Sequence, residues 1–153
     1  MLIEDIQPCS SAELADQIGY LAATPVGGIA MRLQLGQCRL SKGVVRSHAE
    51  LGALKTEFGQ IGPLFPPTQQ GERKFLVCEI LPLLRANPGI GDDLKTKIEA
   101  FLHSDERTIE HNVTVMRLNS ELVIKDGNKR SIAFYERHKG SMARIDYPVF
   151  LVE

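Results

Sequence analysis

No apolar run in this chain approaches the roughly eighteen residues that a membrane-spanning helix requires; stretches such as Phe75 to Cys78 and Val149 to Val152 are far shorter. A membrane-embedded protein is therefore not expected. The start, Met1-Leu2-Ile3-Glu4-Asp5, is acidic and has no basic stretch leading into an apolar one, so a secretory signal is not expected and a cytoplasmic location is. Cysteine is scarce: Cys9, Cys38 and Cys78 are odd in number, far apart and form no C-x-x-C pair, which argues against a disulfide framework. The four histidines, His48, His103, His111 and His138, make neither an i,i+4 pair nor a Cys/His cluster, so no structural metal is predicted. Internal repeats and low-complexity tracts are missing too. A net charge of only -1 provides no general pull toward nucleic acid.

What remains is an ordinary globular composition, 43% hydrophobic and 24% charged over 153 residues, enough for one core carrying an N-terminal layer. Ser10-Ser11-Ala12-Glu13 opens a capped helix over roughly 11 to 23, with Leu14, Ile18 and Leu21 at helical spacing and Thr24-Pro25 as its stop. The alternation of Ile29, Met31, Leu33 and Leu35 with Ala30, Arg32 and Gln34 predicts a half-buried strand. A second helix is expected near Ser47, with Leu51, Leu54 and Phe58 in phase. Gly59 to Gly71 gathers the densest set of chain breakers, and we place the organisational boundary there: residues 1–72 as a helix/strand extension packed on the core, residues 73–153 as the main domain.

Beyond that boundary, Lys74 to Ile80 reads as a strand halted by Pro82. Asp92-Asp93 opens a helix whose Leu94, Ile98, Phe101 and Leu102 form one stripe. Val113, Val115 and Leu118, then Asn119-Ser120, then Leu122-Val123-Ile124 predict a hairpin. The chain runs from there through Asp126-Gly127 into a helix over Ser131 to His138, a stop at Gly140 and a closing strand over Tyr147 to Val152. The fold class expected is mixed α/β (α+β), a sheet with flanking helices.

One segment carries chemistry. A strand ending in a glycine turn that opens directly into a helix gathers free backbone N–H groups and the positive end of the helix dipole at one point. Gly127 permits close approach, and Lys129 and Arg130 add charge beside the helix start, so Asp126, Gly127, Asn128, Lys129, Arg130 and Ser131 form the candidate phosphate-binding set. Asp126 either orients the loop by accepting its amides or holds a metal ion that bridges to phosphate, the former being favoured. The surrounding stretch is locally basic. Between residues 125 and 144, Lys125, Lys129, Arg130, Arg137, Lys139 and Arg144 face only Asp126 and Glu136.

The string Leu122-Val123-Ile124-Lys125-Asp126-Gly127-Asn128-Lys129-Arg130-Ser131-Ile132-Ala133 resembles the D-G-x-x-R signature of the ParB/sulfiredoxin-like superfamily, which lies between a strand and a helix near the end of a compact α/β domain. The resemblance covers residues 73–153 and implies a nucleotide of the ATP or CTP type with Mg, or another phosphorylated small molecule, held at the signature. It does not choose an activity, since the family includes partition proteins, reductases, small-molecule kinases and nucleases. Sulfiredoxins carry their catalytic cysteine where this chain has Asn128, so reductase activity is not expected. Partition proteins continue into a DNA-binding helical module where this sequence ends at Glu153, so a full partition role is not expected either. Asp126 to Ser131 also resembles the centre of the Fic/Doc signature. That family's catalytic histidine lies four residues before the aspartate, at the position of Leu122, so its general base is missing here.

For phosphoryl transfer or nucleotide hydrolysis, Glu79 and Glu110 are candidate carboxylates to orient or deprotonate an attacking group, and His111 is a candidate base. A competing class is a nucleic-acid module, with or without nuclease activity, in which the 125 to 144 cations meet backbone phosphates. The plainest alternative makes the loop a tight structural connection.

Overall fold

The computed structural model describes residues 3–58, 75–104, 113–140 and 144–153. Its first strand, β1 (Glu4–Pro8), leads into α1 (Ser11–Ala22), which starts as expected. The Ser10 hydroxyl accepts from the Glu13 N–H at 3.1 Å and the Glu13 carboxylate accepts from the Ser10 N–H at 3.0 Å, so two otherwise orphaned donors are satisfied reciprocally. The strand expected over Ile29 to Leu35 is instead a helix, α2 (Gly27–Gln34). Its buried residues are Ile29, Ala30 and Leu33, a set at helical spacing, while Met31 and Leu35 are 63% exposed. The alternating pattern hides this i, i+1, i+4 set, and packing of α2 on α1 settles the conformation.

Strand β2 (Leu40–Ser47) ends in the short helix α3 (His48–Gly52), where Ser47 accepts from the Glu50 N–H at 3.3 Å. The helix expected near Ser47 is therefore present, but Leu54 and Phe58 lie beyond it. Strand β3 (Lys55–Thr56) follows. Most of the breaker-rich segment from Gly59 to Gly71, like the boundary placed in it, lies outside the described residues.

The strand expected over Lys74 to Ile80 is also corrected. Only β4 (Phe75–Leu76) is extended, and α4 (Val77–Ala86) takes over at once. Val77, Ile80, Leu81 and Leu84 are all fully buried at i, i+3, i+4, i+7, and Glu79 closes the start by accepting from the Leu76 N–H at 3.0 Å. Pro82 does not halt the chain. It sits on the exposed side of α4, where its missing N–H leaves only the Cys78 carbonyl without its helical donor.

The remaining elements appear in the expected order: α5 (Asp92–Leu102), the hairpin β5 (Val113–Leu118) and β6 (Glu121–Asp126) turning at Asn119 with φ 58°, α6 (Asn128–Arg137) and β7 (Arg144–Val152). Among the described residues all seven strands make one mixed sheet in the order β1-β2-β7-β5-β6-β3-β4, with β7 parallel to β5 and β3 parallel to β6. The fold is mixed α/β. Strands from before and after residue 72 share this sheet, with β2 beside β7 and β3 beside both β6 and β4.

Alternation along the strands sends side chains to two helical layers. Val113 and Val115 on β5, with Tyr147, Val149 and Leu151 on β7, join the main core beneath α3 to α6. Met116 and Val152 point the other way, onto Leu21, Ile29 and Leu33 of α1 and α2. Burying a side chain of this size contributes about 1.5–3 kcal/mol, so each layer is held chiefly by its apolar stripe.

Candidate functional site

The corner between β6 and α6 is set by Gly127, which has φ 91° and ψ 21°. A Cβ placed there would lie 2.7 Å from Val113 Cγ2 and 3.0 Å from Arg130 Nη2, so both the left-handed backbone and the close approach of β5 exclude a side chain. The first helical bond runs from the Ser131 N–H to the Gly127 carbonyl at 3.0 Å. Consequently the N–H groups of Asn128, Lys129 and Arg130 have no acceptor within the helix. Among the described residues no side chain caps this end, and its first turn contains no acidic residue.

Ser131 turns inward. Its hydroxyl donates to the Gly127 carbonyl at 2.8 Å and lies 2.9 Å from the Tyr147 hydroxyl, and the residue is fully buried. It braces the turn against β7 and does not line it. The buried side-chain oxygen of Asn128 has no hydrogen-bond partner among the described residues.

Two charges face each other across the turn. Arg130 Nη2 stands 3.5 Å from Asp126 Oδ2, and both side chains are largely buried, at 13% and 18% exposure. The same Asp126 oxygen accepts from the Tyr20 hydroxyl at 2.9 Å. Burial first, and then the bond to Asp126, push the Tyr20 phenol above its ordinary value, so it stays a donor at neutral pH. Tyr20 is not legible in the sequence as a site residue. It comes from α1, which reaches the corner by crossing the sheet on three polar contacts: Glu13 to Lys42 on β2 at 2.8 Å, Gln17 to Thr114 on β5 at 2.8 Å, and Tyr20 to Asp126 on β6. The spacing of these residues, four and then three, places them on one side of the helix. A usable signal exists: Gln17 interrupts the Leu14, Ile18, Leu21 stripe and is 3% exposed, which marks a polar residue with a buried partner.

The structure thus brings together Asp126, Gly127, Asn128, Lys129 and Arg130, with Ser131 behind them. Glu79 has its own task as the cap of α4. Glu110 and His111 lie outside the described residues. Leu122, where the Fic/Doc histidine would stand, is on strand β6.

The basic segment is largely internal. Lys125 pairs with Glu57 at 3.0 Å, and Lys139 lies 3.8 Å from Glu136. Arg137 donates to the carbonyls of Phe101 and Leu102 at 2.6 Å each and of Ser104 at 2.9 Å, closing the C-terminal end of α5. Of the six cations, Lys125, Arg130 and Lys139 have ion pairs and Arg137 has carbonyl acceptors, while Lys129 and Arg144 have neither among the described residues. Among those residues, no group of three or more His, Cys, Asp or Glu converges as a metal site, and no helix is long and apolar enough to cross a membrane. No family model, no curated protein and no solved structure matches the chain.

Proposed function

We propose that the β6–α6 corner binds the phosphate of a nucleoside di- or triphosphate, with Mg2+ carried on the nucleotide, or of another phosphorylated small molecule, as its resemblance to the ParB/sulfiredoxin-like signature implies. The observation that carries this reading is an open helix start of the wrong sign. Helices α1, α3 and α4 close their N-termini with Ser10, Ser47 and Glu79, and α5 begins with Asp92 and Asp93. Among the described residues α2 and α6 have neither device, and α6 alone of these two carries cations, Lys129 and Arg130, in its first turn. Cations there oppose the helix dipole, each at a cost of about 0.3–1 kcal/mol, whereas a bound phosphate reverses that sign and accepts from the open amides.

In this reading Gly127 admits the anion close to the backbone, the amides of Asn128 to Arg130 hold its oxygens, and Lys129 and Arg130 neutralise it. Asp126 is the carboxylate of the corner. Already accepting from Tyr20 and Arg130, it suits loop orientation better than metal ligation, and a nucleotide-borne Mg2+ would keep mostly water and phosphate ligands. Nucleotide hydrolysis or phosphoryl transfer is the reaction class such a site serves. The nucleic-acid reading has less support, because Lys125, Arg137 and Lys139 already face protein partners.

A thermal-shift panel of nucleoside di- and triphosphates, with and without magnesium, tests the proposal on the wild type and on Arg130→Ala. Ligand at a hundred times its dissociation constant stabilises by about 2.7 kcal/mol. At this chain length that is a rise of roughly 5–10 °C. The rise should be lost in Arg130→Ala. Absence of any phosphate-dependent rise in the wild type, or an undiminished one in the variant, would refute it. A steep salt dependence on duplex DNA with no nucleotide effect would favour the nucleic-acid reading instead.

A further inference from the structure

We infer that Tyr20 of the N-terminal helix α1 is a positioning residue of the phosphate corner: it holds the Asp126 carboxylate back from Arg130, so the seating of α1 keeps the site open to an anion. The inference rests on the phosphate reading above and adds to it a contribution from residues outside the signature.

Two donors compete for one oxygen. Asp126 Oδ2 accepts from Tyr20 at 2.9 Å, a full hydrogen bond, while Arg130 Nη2 stands at 3.5 Å from the same atom. An unhindered arginine–carboxylate pair closes to about 2.7–2.9 Å. Asp126 immediately precedes the helix that Arg130 belongs to, and a carboxylate at a helix N-terminus is the group its dipole prefers. With nothing to restrain it, Asp126 would draw in toward Arg130 and the start of α6 and compete there with a bound anion. Tyr20 supplies the restraint, because its own position is fixed elsewhere. One turn back on α1, Gln17 is tied to Thr114 in a buried bond at 2.8 Å, Glu13 is tied to Lys42 at 2.8 Å, and the next residue, Leu21, is fully buried against the sheet. The carboxylate therefore takes its place from α1, and the spacing between Asp126 and Arg130 follows from how α1 is seated.

Two consequences separate this from a merely structural contact. Removing the Tyr20 hydroxyl while keeping its ring should weaken anion binding at a site the hydroxyl does not itself supply with charge. That weakening should require the Asp126 charge. Binding of magnesium-free ATP and of inorganic pyrophosphate is measured by calorimetry on the wild type, Tyr20→Phe, Asp126→Asn, the double variant and Arg130→Ala. The expected result is a loss of roughly three- to tenfold in Tyr20→Phe, the net scale of one hydrogen bond, and less than a twofold effect of the same change when Asp126 is already Asn. Asp126→Asn alone should bind more tightly than the wild type. As a second readout independent of ligand, ultraviolet titration of the phenol that disappears in Tyr20→Phe should show its ionisation moving down toward the ordinary value in Asp126→Asn.

Wild-type affinity in Tyr20→Phe, or an equal loss in both Asp126 backgrounds, overturns the positioning inference while leaving the phosphate reading standing, provided Arg130→Ala still abolishes binding. Failure of the wild type to bind either probe, or unchanged binding in Arg130→Ala, ends the phosphate reading itself and the inference with it.

Discussion

Gly127→Ala is the sharpest test of the corner's geometry, because its cost has two separable parts. The first is conformational: at φ 91° an L-residue with a Cβ loses about 1–2 kcal/mol relative to glycine. The second is steric. The new methyl would sit 2.7 Å from Val113 Cγ2 and 3.0 Å from Arg130 Nη2, and Val113 is buried in the main core, where crowding by one carbon typically costs about 1–3 kcal/mol. Together they predict a loss of about 2–5 kcal/mol, read from urea denaturation with an unchanged slope. Gly89 provides the control. It shares φ 91°, but nothing lies within 4 Å of the place a Cβ would take, so Gly89→Ala should lose only the first part, about 1–2 kcal/mol. Adding Val113→Ala to Gly127→Ala should recover about 0.5–3 kcal/mol of coupling, because the partner of the clash is gone. Equal losses at the two glycines, or no coupling with Val113, would show that the corner is not crowded by β5 and that Gly127 serves its turn alone.

Two further outcomes follow from the way α1 is seated. Thr114→Val keeps the shape of the side chain but orphans the buried Gln17 amide, so it should destabilise by about 1–3 kcal/mol, with much of that recovered when Gln17→Leu is added; a urea midpoint unchanged in the single variant would contradict this. Glu13 has its carboxyl lowered from 4.5 to about 2, first by the hydrogen bond from Lys42 and then by the Ser10 N–H. A lowered folded-state value stabilises the protein above the ordinary carboxylate range, and that contribution disappears as pH falls toward 2. The stability difference between wild type and Glu13→Gln, measured by denaturation across pH, should therefore be constant near neutrality and close between about pH 4.5 and 2; a difference that persists to the acid end would reject the ion pair as its source.

Local signals are legible in the sequence where one residue determines the outcome. The Ser10 cap, the Asn119 turn, the Gly127 corner and the acidic start of α5 each follow from the conformational or hydrogen-bonding preference of a named side chain. The two segments that fold against expectation have a common cause: each contains apolar residues compatible with both periods. Ile29, Met31, Leu33 and Leu35 alternate, yet Ile29 and Leu33 are also one helical turn apart, and the surface of α1 makes the choice. Phe75 to Ile80 looks like a buried strand, yet Val77, Ile80, Leu81 and Leu84 continue past Pro82 on one helical face. Proline is a weak stop at this position, because on an exposed face its ring meets solvent and only one backbone bond is lost.

The candidate site divides along the same line. Asp126 to Ser131 is legible because it is contiguous, and a strand, glycine and helix in succession dictate where the amides point. Tyr20 is not, since 106 residues separate it from Asp126 and only the sheet order brings them together. Its helix must cross from β2 over β7 and β5 to β6 before residue 20 meets residue 126, a path that periodicity along α1 does not encode. What the sequence does encode is the means of fixing that path: three polar residues at spacings of four and three, one of them set into an apolar stripe. A polar group so placed is stable only opposite a buried partner, so its position predicts a specific docked register for the helix before the partner is known. On that reasoning residues before position 72 help to shape the β6–α6 corner, because the place of the Asp126 carboxylate depends on the helix that they build.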